Sequence, residues 1–363
     1  MELKGKRVIV AMSGGVDSSL TAALLKDQGC EVIGVTLKLF DYERSGCDTR
    51  KKSCCSTEDV YDARRVAEKI DIPFYVLDYK KLFKEYVIDA FVDEYLKGRT
   101  PNPCIVCNEK IKFHYLFVQA GKLNADYLAT GHYAIREYDD STGLVRLKKG
   151  DDKNKDQSYF LFNLDQESLQ KIIFPLGGMT KDRVRELAAS YSLIVADKTD
   201  SQEICFVTDN DYQNFIEQNA DPSLITPGDI VDKSGNKLGR HKGIYAYTIG
   251  QRKGLGLSNP SPLYVLGFDI QKNEVIVGRD DQLFNDTIIV DNVSFISGEP
   301  LSTPARLSVK IRYRHDPADA TVDIMDNGSA MITFDEPQRA ITPGQAAVFY
   351  SDDEVIGGGW IER

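Results

Sequence analysis

From Arg7 to about Thr130, short apolar and β-branched runs alternate with longer stretches whose apolar residues recur at helical spacing. Val8-Ile9-Val10-Ala11, Val32-Ile33-Gly34-Val35, Phe74-Tyr75-Val76-Leu77 and Tyr127-Leu128-Ala129-Thr130 read as strands, and Thr57 to Lys69 as a helix. Such alternation predicts a parallel sheet with helices on both faces, because each parallel strand needs a crossover that packs back on the sheet. Residues 80 to 122 read as helical apart from Arg99-Thr100-Pro101-Asn102-Pro103, and another helix starts at Thr180 with Val184, Leu187 and Ala188 on one face. Beyond Phe206 the pattern changes. Pro227-Gly228, Ser234-Gly235-Asn236 and Gly250 to Gly256 interrupt short strand-like pieces, and from Thr287 strands follow in quick succession. The latter comprise Ala305 to Tyr313, Ala320 to Met325, Ala330 to Phe334 and Ala346 to Tyr350, with turns such as Asp326-Asn327-Gly328, and suggest an antiparallel barrel or sandwich. The expected fold is therefore α/β: a doubly wound parallel-sheet domain over residues 1–206, a small mixed or β central domain over 207–284, and a C-terminal antiparallel β-barrel over 285–363.

Composition narrows the class. The 363 residues suffice for two to three domains, and 42% hydrophobic with 28% charged residues is a globular balance. No apolar run approaches the roughly 20 residues of a membrane span, and Met1 to Arg7 lead directly into a strand, so no membrane association and a cytoplasmic location are expected. The formal charge of −10 weighs only weakly against a polyanionic partner, since local patches decide nucleic-acid binding. Seven cysteines, among them Cys54-Cys55 and Cys104-x-x-Cys107, point in a cytosolic chain to thiol or metal chemistry ahead of a disulfide framework.

The sharpest local motif follows the first strand: Ala11-Met12 and then Ser13-Gly14-Gly15-Val16-Asp17-Ser18-Ser19, opening an apolar helix. Glycines there let backbone N–H groups converge on a phosphate, and the helix N-terminus adds its positive dipole end. The lysine of the common γ-phosphate loop is missing. The motif resembles the SGGxDS loop of the PP-loop ATP pyrophosphatases, the adenine nucleotide alpha hydrolase-like enzymes that cleave ATP between the α and β phosphates and adenylate a substrate.

Two further segments carry thiols. Gly98-Arg99-Thr100-Pro101-Asn102-Pro103-Cys104-Ile105-Val106-Cys107-Asn108 is a proline-stiffened loop entering a helix, where Lys110 and Lys112 and the helix N-terminus favour thiolate. Asp200-Ser201-Gln202-Glu203-Ile204-Cys205-Phe206 adds a third cysteine. Together with ATGHYA at Ala129 to Ala134, KDQSYFL at Lys155 to Leu161, Thr248 to Gly256 and Lys310 to Arg314, these segments resemble the bacterial tRNA-uridine 2-thiolase family from the first strand to the last.

That resemblance implies an ATP-dependent sulfurtransferase acting with Mg²⁺ on the wobble uridine of tRNAs reading Lys, Glu and Gln codons. It makes Cys205 the persulfide carrier and Cys107 its nucleophilic partner, with sulfur supplied by a cysteine desulfurase or relay protein. It places Ala11, Met12, Ser13, Gly14, Gly15, Val16, Asp17, Ser18, Leu37 and Gly131 around ATP. It assigns Asn102, Pro103, Cys104, His132, Lys155, Asp156, Gln157, Arg312, Tyr313 and Gln345 to the target base and the tRNA. Cys104 stands where many relatives have Asp, so a [4Fe–4S] cluster on Cys104, Cys107 and Cys205 is an alternative to the persulfide route. Two further classes stay open on the residues: another PP-loop adenylating enzyme, and an RNA-binding protein that has lost catalysis. Cys54 and Cys55 read as structural or near the nucleotide, and Cys30 and Cys47 as buried or incidental.

Overall fold

The computed structural model describes residues 2–40, 57–199, 204–207 and 211–362. Cys47, Cys54 and Cys55 lie outside the described residues. The first sheet is parallel throughout, built from β1 (Arg7–Ala11), β2 (Glu31–Lys38), β3 (Phe74–Asp78), β4 (Tyr127–Ala129) and β7 (Ile172–Ile173) in the order β3-β2-β1-β4-β7. The central strands are continuous apolar runs because both sheet faces are covered. Ile9, Ile33 and Val35 pack with Phe83, Phe91, Ile105, Ile111 and Leu116. Their strand neighbours Val8, Val10 and Val32 point the other way, toward Leu20 and Leu25 of α1 (Val16–Asp27), Ala63 and Val66 of α2 (Thr57–Lys69), and Val184 and Ala188 of α8 (Lys181–Ser190). This is the doubly wound arrangement expected from the alternation. Thr180 caps α8, its side chain accepting from Arg183 N at 3.3 Å.

Two helical stretches form the remaining cover. One runs through α3 (Lys80–Phe83), a π turn at Lys84–Ile88 and α4 (Asp89–Leu96). The other runs through α5 (Pro103–Val106), a π segment at Cys107–Phe113 and α6 (His114–Lys122). After β4 the chain makes a hairpin of β5 (Ala134–Asp139) and β6 (Leu144–Lys149), then α7 (Gln166–Lys171). α9 (Tyr212–Asn219) precedes a four-stranded sheet of β8 (Gly228–Asp232), β9 (Lys237–His241), β10 (Tyr264–Asp269) and β11 (Glu274–Gly278), ordered β10-β11-β8-β9.

The last unit is a barrel. β12 (Phe284–Phe295), β15 (Ala330–Arg339), β14 (Ala318–Ile324), β13 (Ala305–Lys310), β16 (Ala346–Ser351) and β17 (Glu354–Ile361) are joined antiparallel, and β17 pairs back with β12 to close the ring. Val290, Val309, Val322, Ile332 and Phe349 fill it. Three details depart from the expected pattern. β13 ends at Lys310, so Arg312 and Tyr313 sit in the turn that follows it. β15 runs on through Pro337, which falls in the interruption of its register with β12 and so gives up no ladder hydrogen bond. The β5–β6 hairpin of the first unit joins the barrel sheet, with Lys148 opposite Glu354 and Lys149 N–H donating to Asp353 O at 2.8 Å. Among the described residues, no helix is long and apolar enough to cross a membrane.

Candidate nucleotide and thiol site

The strand order reverses direction between β1 and β4, the place where open α/β sheets hold ligands. Ser13–Ser18 follows β1 and Gly131 follows β4. Gly14 has φ +75°, and a Cβ there would lie 2.2 Å from Asp59 O, so only glycine lets the loop lie on the start of α2. Gly15 is the N-cap of α1 and supplies no side-chain cap. A Cβ on Gly131 would stand 2.8 Å from Ser18 N, inside the mouth of the loop. Ser13 N–H donates to Ser18 Oγ at 3.0 Å, and the two hydroxyls lie 3.2 Å apart. Met12 is buried, its carbonyl accepting from Thr36 Oγ1 at 2.6 Å, while Ala11 and Val16 carry the loop's two ends and Leu37 lies buried near the end of β2. Helix N-terminus and glycine backbone, with Gly131 packed closely against the loop, together suit an anionic phosphate chain.

Charged side chains that no local motif marked surround this loop. Lys181, buried at the start of α8, donates to both Asp17 carboxylate oxygens at 2.8 and 2.9 Å, and Tyr133 OH donates to Oδ1 at 2.7 Å. Lys198 Nζ donates to Gly14 O at 3.0 Å, Asp59 Oδ1 at 2.7 Å and Asp62 Oδ2 at 2.6 Å. Burial works against the Lys198 ammonium, but the two carboxylates outweigh it and hold its pKa above the ordinary lysine value. Asp17 is thus engaged by a lysine and a phenol.

The stretch after Gly131 reaches the helical segment that begins at Cys107. His132 Nδ1 lies 2.8 Å from Thr130 Oγ1, and its ring stands 6.0 Å from Phe113, the last residue of the π segment that begins at Cys107. Burial, and then the positive charge of Lys112, push His132 down to about 3, so the imidazole is neutral at physiological pH. Cys107 is buried at the start of the π segment, where the widened turn locally changes which side chains face inward, whereas Cys104 is exposed one turn earlier behind Pro103. Cys205 is half-buried, and the next residue, Phe206, is anchored among Phe83, Phe91 and Phe215 at ring distances of 5.6, 5.2 and 5.2 Å. Among the described residues, no three His, Cys, Asp or Glu side chains converge as a metal would require. Cys104, Cys107 and Cys205 as placed therefore do not form a ready ligand set for a cluster.

The barrel grips the loop that carries the first two thiols. Thr100 N–H donates to Pro343 O at 2.8 Å, and Gln345 Nε2 donates to Thr100 O at 2.7 Å. Arg99 bridges Glu94 and Glu362, each at 2.6 Å. Asn102, the N-cap of α5, and Pro103 follow immediately. Tyr313 packs against Phe160 with ring centroids 4.4 Å apart and planes tilted by 43°, and Lys310 Nζ lies over the rings of Tyr159 and Tyr313. Burial raises the Tyr313 phenol, with contributions from Asp156 and Cys104, which puts Cys104 in the same electrostatic neighbourhood. Arg312 donates to Arg339 O at 2.6 Å, and burial lowers its pKa, with Arg339 adding to the effect.

Asp156 and Gln157, also assigned to tRNA, turn inward. Asp156 is buried and accepts from Gly150 N, Ser158 N and Ser158 Oγ, each at 3.0 Å, so it ties its own loop. Gln157 exchanges two hydrogen bonds with the Tyr133 backbone, at 3.0 and 2.8 Å. Lys155 is half-buried on the same turn, its N–H donating to Asp152 O at 2.9 Å.

The parallel sheet, its switch point and the glycine–serine loop define a nucleotide-binding protein of the PP-loop class. Residues 6–209 match the tRNA methyl transferase HUP domain family, 213–279 the tRNA methyl transferase PRC-barrel domain, and 285–361 the aminomethyltransferase beta-barrel domain. Proteins named tRNA-specific 2-thiouridylase MnmA are similar over nearly full length. The one from Geobacter metallireducens is 51% identical, covering 98% of this chain and 97% of its own. That from Geotalea uraniireducens is 54% identical, covering 99% and 96%. A third, MnmA 1 of Thermoanaerobacter pseudethanolicus, is 54% identical, covering 99% of each. The chain belongs to the tRNA-specific 2-thiouridylase family.

Proposed function

We propose that this protein uses ATP to replace the C2 oxygen of a wobble uridine in tRNA with sulfur. The observation that carries the reading is the double contact of residues 131–133. Gly131 and Tyr133 border the nucleotide loop at Ser18 and Asp17, and His132 meets the helical segment that begins at Cys107. One short stretch therefore adjoins both the ATP loop and the far end of the helical segment that Cys107 opens, which ties the two parts sulfur transfer needs to one piece of chain. Methyl transfer, the activity in the domain-family names, calls for neither part.

The C2 oxygen of uracil is a poor leaving group. It attacks the α-phosphorus of ATP, held as its magnesium complex, and pyrophosphate departs. Backbone N–H groups of Gly14 to Ser18 stabilise the charge that develops on the phosphates. The terminal sulfur of a Cys205 persulfide then bonds to C2, and AMP leaves with the former carbonyl oxygen. Cys107 thiolate attacks the inner sulfur of Cys205, so the persulfide S–S bond breaks as a Cys107–Cys205 disulfide forms. A thiol reductant supplies the two electrons that reset the pair. Cysteine desulfurase or relay-protein persulfide reloads Cys205. Substrates are tRNAs reading Lys, Glu and Gln codons, in the cytoplasm. Asn102 and Pro103 line the base's approach, Tyr313 on Phe160 offers it a stacking face, and Lys155 and Arg312 lie near the phosphates.

The test is thiolation of a wobble-uridine tRNA by iron-free protein with ATP and a persulfide donor. Cys205→Ala is expected to abolish thiolation while tRNA-dependent release of pyrophosphate persists. Activity that instead tracks about four irons per chain, lost together on Cys104→Ala, would replace the persulfide route with a cluster. Absence of pyrophosphate release from wild-type protein would refute the adenylation step.

A further inference from the structure

Lys198 belongs to none of the motifs that identify the reaction, yet its ammonium spends all three donors behind the nucleotide loop: on Gly14 O, Asp59 and Asp62. Its own backbone is fixed as well. Arg185 on α8 donates from Nη1 to Ala196 O and from Nη2 to Lys198 O, both at 3.2 Å.

We infer that Lys198 is a positioning residue that aims the phosphate-binding N–H of the loop at ATP. In a trans peptide the carbonyl and the following N–H point in opposite directions. An ammonium pinning Gly14 O therefore turns the Gly15 N–H away from Lys198, toward the mouth bordered by Gly131 and the uncapped start of α1. The same charge sits between Asp59 and Asp62, whose carboxylates would otherwise repel a triphosphate from behind the loop.

The inference rests on the ATP reading above, and the experiment separates the two. Full-length wild type, Lys198→Met and Asp62→Asn are compared for ATP binding by equilibrium dialysis and for steady-state turnover. Lys198→Met is expected to bind ATP about 10- to 100-fold more weakly, the range for losing a charged hydrogen-bonding partner. In turnover, KM for ATP rises more than kcat falls, a split that general loss of folded protein does not produce. Asp62→Asn removes one acceptor at the edge of the cluster. It is expected to shift both readouts the same way by about 3-fold, and it carries the test if Lys198→Met does not fold. Wild-type affinity and wild-type KM for ATP in Lys198→Met overturn the inference. Wild-type protein that binds no ATP overturns the functional reading instead.

Discussion

Neutral His132 and buried Lys181 set the electrostatics on the two sides of Gly131. His132 is held at about 3 against an ordinary 6.5, so between those values the unfolded chain binds a proton that the folded chain refuses. Its contribution to stability is complete above about pH 6.5 and is lost as the pH falls toward 3. His132→Asn should therefore lessen the drop in melting temperature between pH 7.5 and pH 5, and an equal drop in both proteins would show that the imidazole is not what titrates. At Gly131 itself, alanine would project its methyl to 2.8 Å from Ser18 N. We expect Gly131→Ala to lower the melting temperature, because the methyl must push back the Ser18 and Asp17 backbone at 2.8 and 2.9 Å, and to lose ATP binding by at least about 10-fold in dialysis. Neither lysine near the loop was legible in the sequence. Lys181 meets Asp17 across 164 positions and Lys198 meets Asp59 across 139, and such long-range ion pairs leave no local pattern.

Elements were easier to read than partners. β1 and β2 announce themselves because burial on both faces demands unbroken apolar runs, and the Ser13–Ser18 loop because its chemistry is local. The loop's dependence on glycine makes a sharp expectation. Gly14→Ala must hold a methyl-bearing residue at φ +75° and 2.2 Å from Asp59 O, which should cost about 1–3 kcal/mol and lower the melting temperature, together with loss of pyrophosphate release. A normal melting temperature would mean that α2 draws back from the loop at little cost. Other elements hid themselves. The π segment at Cys107–Phe113 has the composition of an ordinary helix, and Arg312-Tyr313 continues the apolar–polar rhythm of β13 after the ladder has stopped. The β5–β6 hairpin is half polar, since much of its surface faces water, and nothing in it names a partner in the barrel.

Across the whole molecule, the barrel reaches back to the thiol loop through Arg99, Thr100, Pro343 and Gln345. Arg99→Ala removes the bridge to Glu362 without touching the nucleotide loop. It should raise KM for tRNA by about 10-fold and leave KM for ATP unchanged in steady-state thiolation, whereas equal increases in both would mean that the bridge only stabilises the fold. The strand pairing of β6 with β17 has a consequence for synthesis. Lys149 donates to the Asp352 carbonyl 203 positions further along, so a ribosome that has finished the hairpin has yet to make its partner. Until then β6 offers an unpaired edge to any neighbouring nascent chain. Production of the first unit alone should yield protein that clumps through that edge, and late strand addition rather than early collapse should limit maturation of the intact enzyme.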